Sequence, residues 1–181
     1  LTLDASNDII LNADITRTGN GGLILEPDGN DVRGSGTIRL SAGSRISTSN
    51  NANVSNNIQL NGSGNIDFSS GTGTTTYSGV ISGSGNLRKI ASGTVNLNGS
   101  NTYTGDTDIQ NGTLRVNGSL SDNSEVNVGS SGIYRVQNSH RIASLTGDGS
   151  VIISSSRTLS TGSSGNNTCL LYTSPSPRDM W

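Results

Sequence analysis

The chain has little of what most folded domains are built on. Aromatic residues make up 3% of its 181 positions and charged residues 13%, with one cysteine, one histidine and three prolines. So few large side chains cannot fill the thick interior of a close-packed globule. The charged share is about half of the roughly 25% usual in soluble domains, so solubility rests on hydroxyls and amides. A formal net charge of -2 argues against disorder driven by charge repulsion. With no basic run, it also gives no electrostatic footprint for nucleic acid. No apolar stretch approaches the roughly 20 residues of a membrane-spanning helix, so no membrane insertion by this segment is expected. A single cysteine supports no disulfide framework. The start at Leu1, without an initiator Met or a charged-then-apolar leader, is the start expected of a fragment of a longer protein.

From Cys169 the texture changes. The string CLLYTSPSPRD, Cys169 to Asp179, holds the one cysteine and two of the three prolines. It is similar to an in-frame translation of a sequencing adapter, and processing scars are set aside in reasoning about a fold. The expected organisation is therefore 1–168 as the folded fragment and 169–181 as a non-native tail.

What the chain has instead is a beat. Glycine occurs 25 times, and short apolar alternations are cut by Gly, Asn, Ser and Thr. A unit ending in apolar-x-apolar appears as NDIIL from Asn7, GTIRL from Gly36, GNIDF from Gly64, GTVNL from Gly93, SEVNV from Ser124 and GSVII from Gly149. The steps between these starts are 29, 28, 29, 31 and 25 residues. Periods of about 20 to 50 residues mark solenoids, propellers or arrays. Ile58 precedes Ile66 by eight residues, Leu87 precedes Val95 by eight, and further apolar patches such as Tyr103 with Ile109 follow. Three short strands at about 3.3 Å per residue, plus turns, use up such a period. Propeller blades run to about 40–45 residues and carry signature aromatics, which do not fit. The expected fold is all-β, a parallel β-helix of about six coils with a period near 28 residues.

Alternation assigns the faces. In Gly93-Thr94-Val95-Asn96-Leu97, Val95 and Leu97 share one side and Thr94 and Asn96 the other. A 28-residue step then predicts one interior column of Ile38, Ile66, Val95, Val126 and Val151. Its neighbour is Leu40, Phe68, Leu97, Val128 and Ile153. Such a narrow core is expected to have little room for aromatics. Gly and Asn at the corners are expected to supply positive φ for tight turns.

The residues that carry chemistry are few. His140, in Asn138-Ser139-His140-Arg141, reads as a solvated corner residue, since a triad or a metal site needs partners that the chain does not offer. Glycosidases need two carboxylates about 5–9.5 Å apart. Asp106 and Asp108 alternate with inward Thr107 and Ile109, so both are expected to project outward. About one period away stand Val80 and Ser82 upstream and Ile133 to Arg135 downstream, so no stacked carboxylates are expected beside them. Glu26-Pro27-Asp28-Gly29-Asn30-Asp31 lacks the alternating spacing of a calcium loop and reads as a turn. Asn111-Gly112-Thr113 matches a glycosylation sequon by composition alone. Thr74-x-Thr76 and Thr102-x-Thr104 fall at different phases of their turns, so no threonine ladder suited to ice is expected. No catalytic, cofactor-binding or metal-binding residue is assigned.

The stretch Ser78 to Leu120, SGVISGSGNLRKIASGTVNLNGSNTYTGDTDIQNGTLRVNGSL, resembles the autotransporter-associated β-strand repeat. The matching positions are Gly83, Gly85, Leu87, Lys89, Gly93, Thr94, Val95, Leu97, Gly99, Asn101, Thr102, Tyr103, Thr104, Gly105, Thr107, Ile109, Gly112, Thr113, Leu114 and Val116. Ala91 stands where that family usually has Gly, a swap expected to reshape a turn slightly. The segment ASNDIILNADITRTGNGGLILEPDGND is similar to haemagglutination-type repeats of large exported adhesins. These resemblances imply a right-handed β-helix that is a stalk or adhesive passenger segment of a type V secreted bacterial surface protein. They further imply an extracellular or cell-surface location, no catalytic role, and continuity with further β-helix and an outer-membrane barrel. Partners would be glycans or surface molecules of host or neighbouring cells, met through many weak contacts. The alternative is a fragment of a β-helical polysaccharide lyase or glycoside hydrolase, which needs carboxylates and a basic residue converging in one groove.

Overall fold

In the computed structural model the described residues are 2–5, 9–10, 15–17, 22–27, 31–33, 36–41, 43, 45–48, 52–62, 64–162 and 169–172. All described elements are strands. They wind into a β-solenoid whose coils present three faces in turn. The first face stacks Thr2–Ala5, Gly22–Pro27, Arg45–Thr48, Asn65–Ser69 and Asn86–Lys89 in parallel. The second stacks Ile9–Ile10, Asp31–Arg33, Asn53–Val54, Thr74–Tyr77 and Thr94–Leu97. The third stacks Ile15–Arg17, Ile38–Ser41, Ile58–Asn61 and Ile81–Gly83. The longer strands Thr107–Val116 and Glu125–Val136 run round the corner, so the first two faces merge into one sheet of fourteen strands. Six consecutive coils lie between Arg45 and Gly162, and the earlier strands extend the stack toward the N-terminus. Cys169–Tyr172 adds an antiparallel strand to Thr158–Thr161, the one antiparallel pairing among the described residues.

The solenoid is as expected, but its period is not 28 residues. Partners in register are 23 apart at Leu23 and Ile46, 22 at Ile46 and Phe68, 21 at Ile66 and Leu87, 20 at Leu87 and Thr107, and 19 at Thr107 and Val126. The apolar-x-apolar unit occurs once per strand, not once per coil. A step near 28 advances one coil and then about eight residues further, onto the next face. The expected columns therefore mixed faces. On the first face the interior columns are Ile66, Leu87, Thr107, Val126 and, beside it, Phe68, Lys89, Ile109, Val128. On the second they are Thr75, Val95, Leu114, Tyr134 and Tyr77, Leu97, Val116, Val136, and the exposed Val151 and partly buried Ile153 stand at their ends. Ile38 and Leu40 belong to the third, over Ile58 and Leu60.

The alternation itself is correct: Thr94–Leu97 and Thr74–Tyr77 are each buried at every second residue. The core is nevertheless roomier than expected, since Phe68, Tyr77, Tyr103 and Tyr134 are its largest fully buried side chains. Phe68 and Tyr77 meet edge-to-face across adjacent faces, with ring centroids 5.1 Å apart and planes at 75°. Corner chemistry also departs from expectation. Among the described residues positive φ falls on glycines and on Ser156, never on asparagine. At Gly112, φ is 71° and a Cβ would lie 2.4 Å from the Gly93 carbonyl oxygen of the coil before. Ala91 adopts no such φ, so the turn it occupies does not require glycine.

The corner asparagines act through their amides. Asn101 is 3% exposed. Its Nδ2 donates to the carbonyls of Gly99 (3.0 Å) and Ser119 (2.9 Å), and its Oδ1 accepts from the backbone N–H of Ile81 (3.0 Å). One side chain thus ties three coils where the third face lacks a regular ladder, between Ile81–Gly83 and His140–Ile142.

Candidate functional site

With a hidden interior, function on a solenoid has to lie on its outer columns. Along the first face the outward residues in register are Arg45, Asp67, Arg88, Asp108, Asn127 and Thr146. Arg88 grips Asp67 bidentately, Nε to Oδ1 at 2.6 Å and Nη2 to Oδ2 at 2.9 Å. Arg45 approaches the same carboxylate from the other side at 3.7 Å. The hydrogen bond to Asp67, helped by the charges of Asp67 and Asp108, raises the Arg88 pKa despite partial desolvation. Further along, Asp108 accepts from Asn127 Nδ2 at 2.9 Å and Gln110 Nε2 at 2.8 Å, and Thr146 donates to Asn127 at 3.3 Å. The column closes on itself.

Asp106 and Asp108 do project outward, alternating with the fully buried Thr107 and Ile109. Their surroundings differ from those a 28-residue step predicted. Asp108 has Arg88 and Asn127 as its neighbours in register, and Asp106, Asp108 and Glu125 line one groove of about 210 Å³ with Asn65, Asn86 and Asn127. Carboxylates therefore converge where none were expected to. Among the described residues no histidine, lysine or arginine lines that groove. Among the described residues no group of three or more His, Cys, Asp or Glu could hold a metal ion. The side chains of Glu26, Asp28 and Asp31 lie outside the described residues.

His140 is not a solvated corner residue. It is half-buried, with Nε2 at 2.7 Å from the Tyr134 hydroxyl and Nδ1 at 2.9 Å from the Asn138 carbonyl oxygen. A neutral ring with its proton on Nδ1 satisfies both contacts, donating to Asn138 and accepting from Tyr134. Burial lowers its pKa, against the opposing pull of the Asn138 hydrogen bond and the charge of Asp122. Tyr134 and Tyr103 are buried and their pKa values are pushed up, that of Tyr103 to about 12, by desolvation. Tyr103, Thr107 and Ser124 form a buried hydroxyl chain with O···O distances of 2.6 and 2.9 Å.

Lys89 escaped notice in the sequence except as a matching position. It is fully buried in the column between Phe68 and Ile109. Its ammonium donates to the carbonyls of Ala91 and Asn111 (3.1 Å for Asn111), binding the corners of two coils together. Burial lowers its pKa to about 8. Strict alternation from Leu87 was the signal that this lysine points inward.

The outward columns of the second face differ from those of the first. One runs Thr74, Thr94, Thr113, Ile133. Three threonines stack there, but the partner column runs Thr76, Asn96, Arg115, Arg135, Ile152 and supplies no second threonine row, so no Thr-x-Thr ladder forms along this face. The spacing behind these stacked arginines, 20 residues, was masked by the longer period.

Residues 87–116 match the passenger-associated-transport-repeat. This segment is similar to a passenger repeat. It begins at Leu87 on the first face and ends at Val116 on the second, spanning the coil that Asn101 braces. The passenger repeat and the solenoid together fit an autotransporter passenger fragment. No curated protein and no solved structure matches the chain significantly.

Proposed function

We propose that residues 1–168 are a non-catalytic stalk or adhesive segment of an exported bacterial passenger, displayed at the cell surface or released, and continuous with further β-helix. The observation that carries this reading is the passenger repeat at 87–116, set within a continuous parallel stack. The mechanism is mechanical and interfacial. Each coil is stabilised mainly by its neighbours, and exposed Asn, Ser and Thr offer weak contacts repeated along the rod. Glycans and surface proteins of host or neighbouring cells are the partners that suit such contacts. Fusing the full chain between a secretory leader and an outer-membrane barrel in a Gram-negative host tests the reading. Intact cells should then be labelled by antibody to the chain and lose that label to added protease. Retention inside the envelope would overturn it.

The convergence of Asp106, Asp108 and Glu125 is what favours a second reading, a polysaccharide lyase or glycoside hydrolase. Against it, Asp108 is already held by Gln110 and Asn127, and the nearest arginine, Arg88, is clamped on Asp67. Incubation with pectin-like and alginate-like polymers should release no product. Release that Asp106→Asn abolished would establish the enzyme.

A further inference from the structure

Arg115 and Arg135 are partners in register on adjacent coils of the second face. Each stands between buried residues, Leu114 and Val116 for one and Tyr134 and Val136 for the other, so both side chains point outward. Adjacent strands lie about 4.8 Å apart, which sets two guanidinium groups side by side. Like charges directly opposite each other are destabilising, and no carboxylate stands beside them in this column. Their other neighbours in register are Asn96 and Ile152, not carboxylates. The Nε atoms of both arginines are shielded from solvent and have no hydrogen-bond partner among the described residues. Asn96 Oδ1, next in the column, is likewise buried without a donor, while its Nδ2 is spent on Thr76 Oγ1 at 3.2 Å.

We propose that this column, Asn96–Arg115–Arg135–Ile152, is a binding site for an acidic polysaccharide carrying sulfate or carboxylate groups. Two planar guanidinium groups suit oxyanions spaced along a polymer. Ile152, 40% exposed at the end of the column, offers an apolar surface to the CH face of a ring. Nucleic acid fits less well. Phe68, Tyr77, Tyr103 and Tyr134 are buried and offer no stacking platform beside this column. The neighbouring face presents Asp106, Asp108 and Glu125. The proposal is independent of how the chain is exported, so its test and the surface-display test can fail separately.

Calorimetric titration of the 181-residue chain with dextran sulfate, polygalacturonate, neutral dextran and a DNA duplex tests it at low and moderate salt. Wild type should bind at least one acidic polymer, not neutral dextran, and bind more weakly as salt rises. Arg115→Gln and Arg135→Gln should each weaken binding by about tenfold, and the double variant by more, as expected for charge-assisted hydrogen bonds. Arg157→Gln, which removes an exposed arginine outside this column, should bind as wild type. Circular dichroism should be unchanged in all variants. No binding to either acidic polymer, equal loss in Arg157→Gln, or DNA binding as tight as that of the glycans would each overturn the proposal.

Discussion

Arg88 on the first face and Arg115 on the second occupy the same kind of position, outward in a strand with a buried residue on either side. Arg88 has Asp67 behind it and Asp108 ahead. Arg115 has Asn96 behind it and a second arginine ahead. On a solenoid the lateral neighbour of a side chain is the residue one coil away, so a charge is paired or left open by what stands about 20 positions off. The first face spends its polar groups on one another and holds the coils together. The second leaves donors and an acceptor unspent.

The sharpest way to break this comparison is Asp67→Ala. It leaves Arg88 and Arg45 facing each other without their shared carboxylate, and a cost of about 3 kcal/mol in urea unfolding is expected. A cost under about 0.5 kcal/mol would mean that the first-face column is decoration.

Next comes the interior of the same face. Lys89 titrates near 8 in the folded chain, against 10.5 for an ordinary lysine. Between those values the unfolded chain binds more protons, so stability should be lowest below about pH 8 and rise toward pH 10, by about 2 kcal/mol. Above pH 10 the trend reverses, because Tyr103 keeps its proton to about 12 while unfolded tyrosines lose theirs. Urea midpoints at fixed ionic strength from pH 7.5 to 9.5 report the rise, and Lys89→Met should flatten it.

Beneath the second face a smaller effect of the same sign is expected from His140. Its pKa is lowered on folding, so stability should fall as pH drops from 6.5 toward the folded value, and His140→Gln should remove that slope. The smallest effect belongs to the open arginines. Arg115→Gln and Arg135→Gln should change stability by no more than about 0.5 kcal/mol, with the sign toward stabilisation as like-charge contact is relieved. A loss of 2 kcal/mol would show that they brace the fold and would end the contrast with Arg88.

The class of fold was legible in the sequence because inward and outward residues alternate strictly, as in Val95-Asn96-Leu97. The period was not, because Ile38, Ile66 and Val95 look alike while lying on the third, first and second faces. Local pattern names a strand without saying which wall it belongs to. With the period went every outward neighbour, so Asp108 was read beside Ile133 to Arg135 instead of Asn127. The inward Lys89 and the brace at Asn101 were hidden for another reason. Both are polar residues whose partners are backbone carbonyls and N–H groups, and those leave no mark on side-chain chemistry.

Asn101 has a consequence for how the rod behaves under load. A coil occupies about 4.8 Å of rod height but contains roughly 70 Å of chain when drawn out at about 3.5 Å per residue. Tension applied at the C-terminal end would therefore pay out slack one loop at a time, each release lengthening the tether many times over. A side chain riveted to Ile81, Gly99 and Ser119 interrupts that sequence, so the unwinding should stall there and leave the coils before it intact.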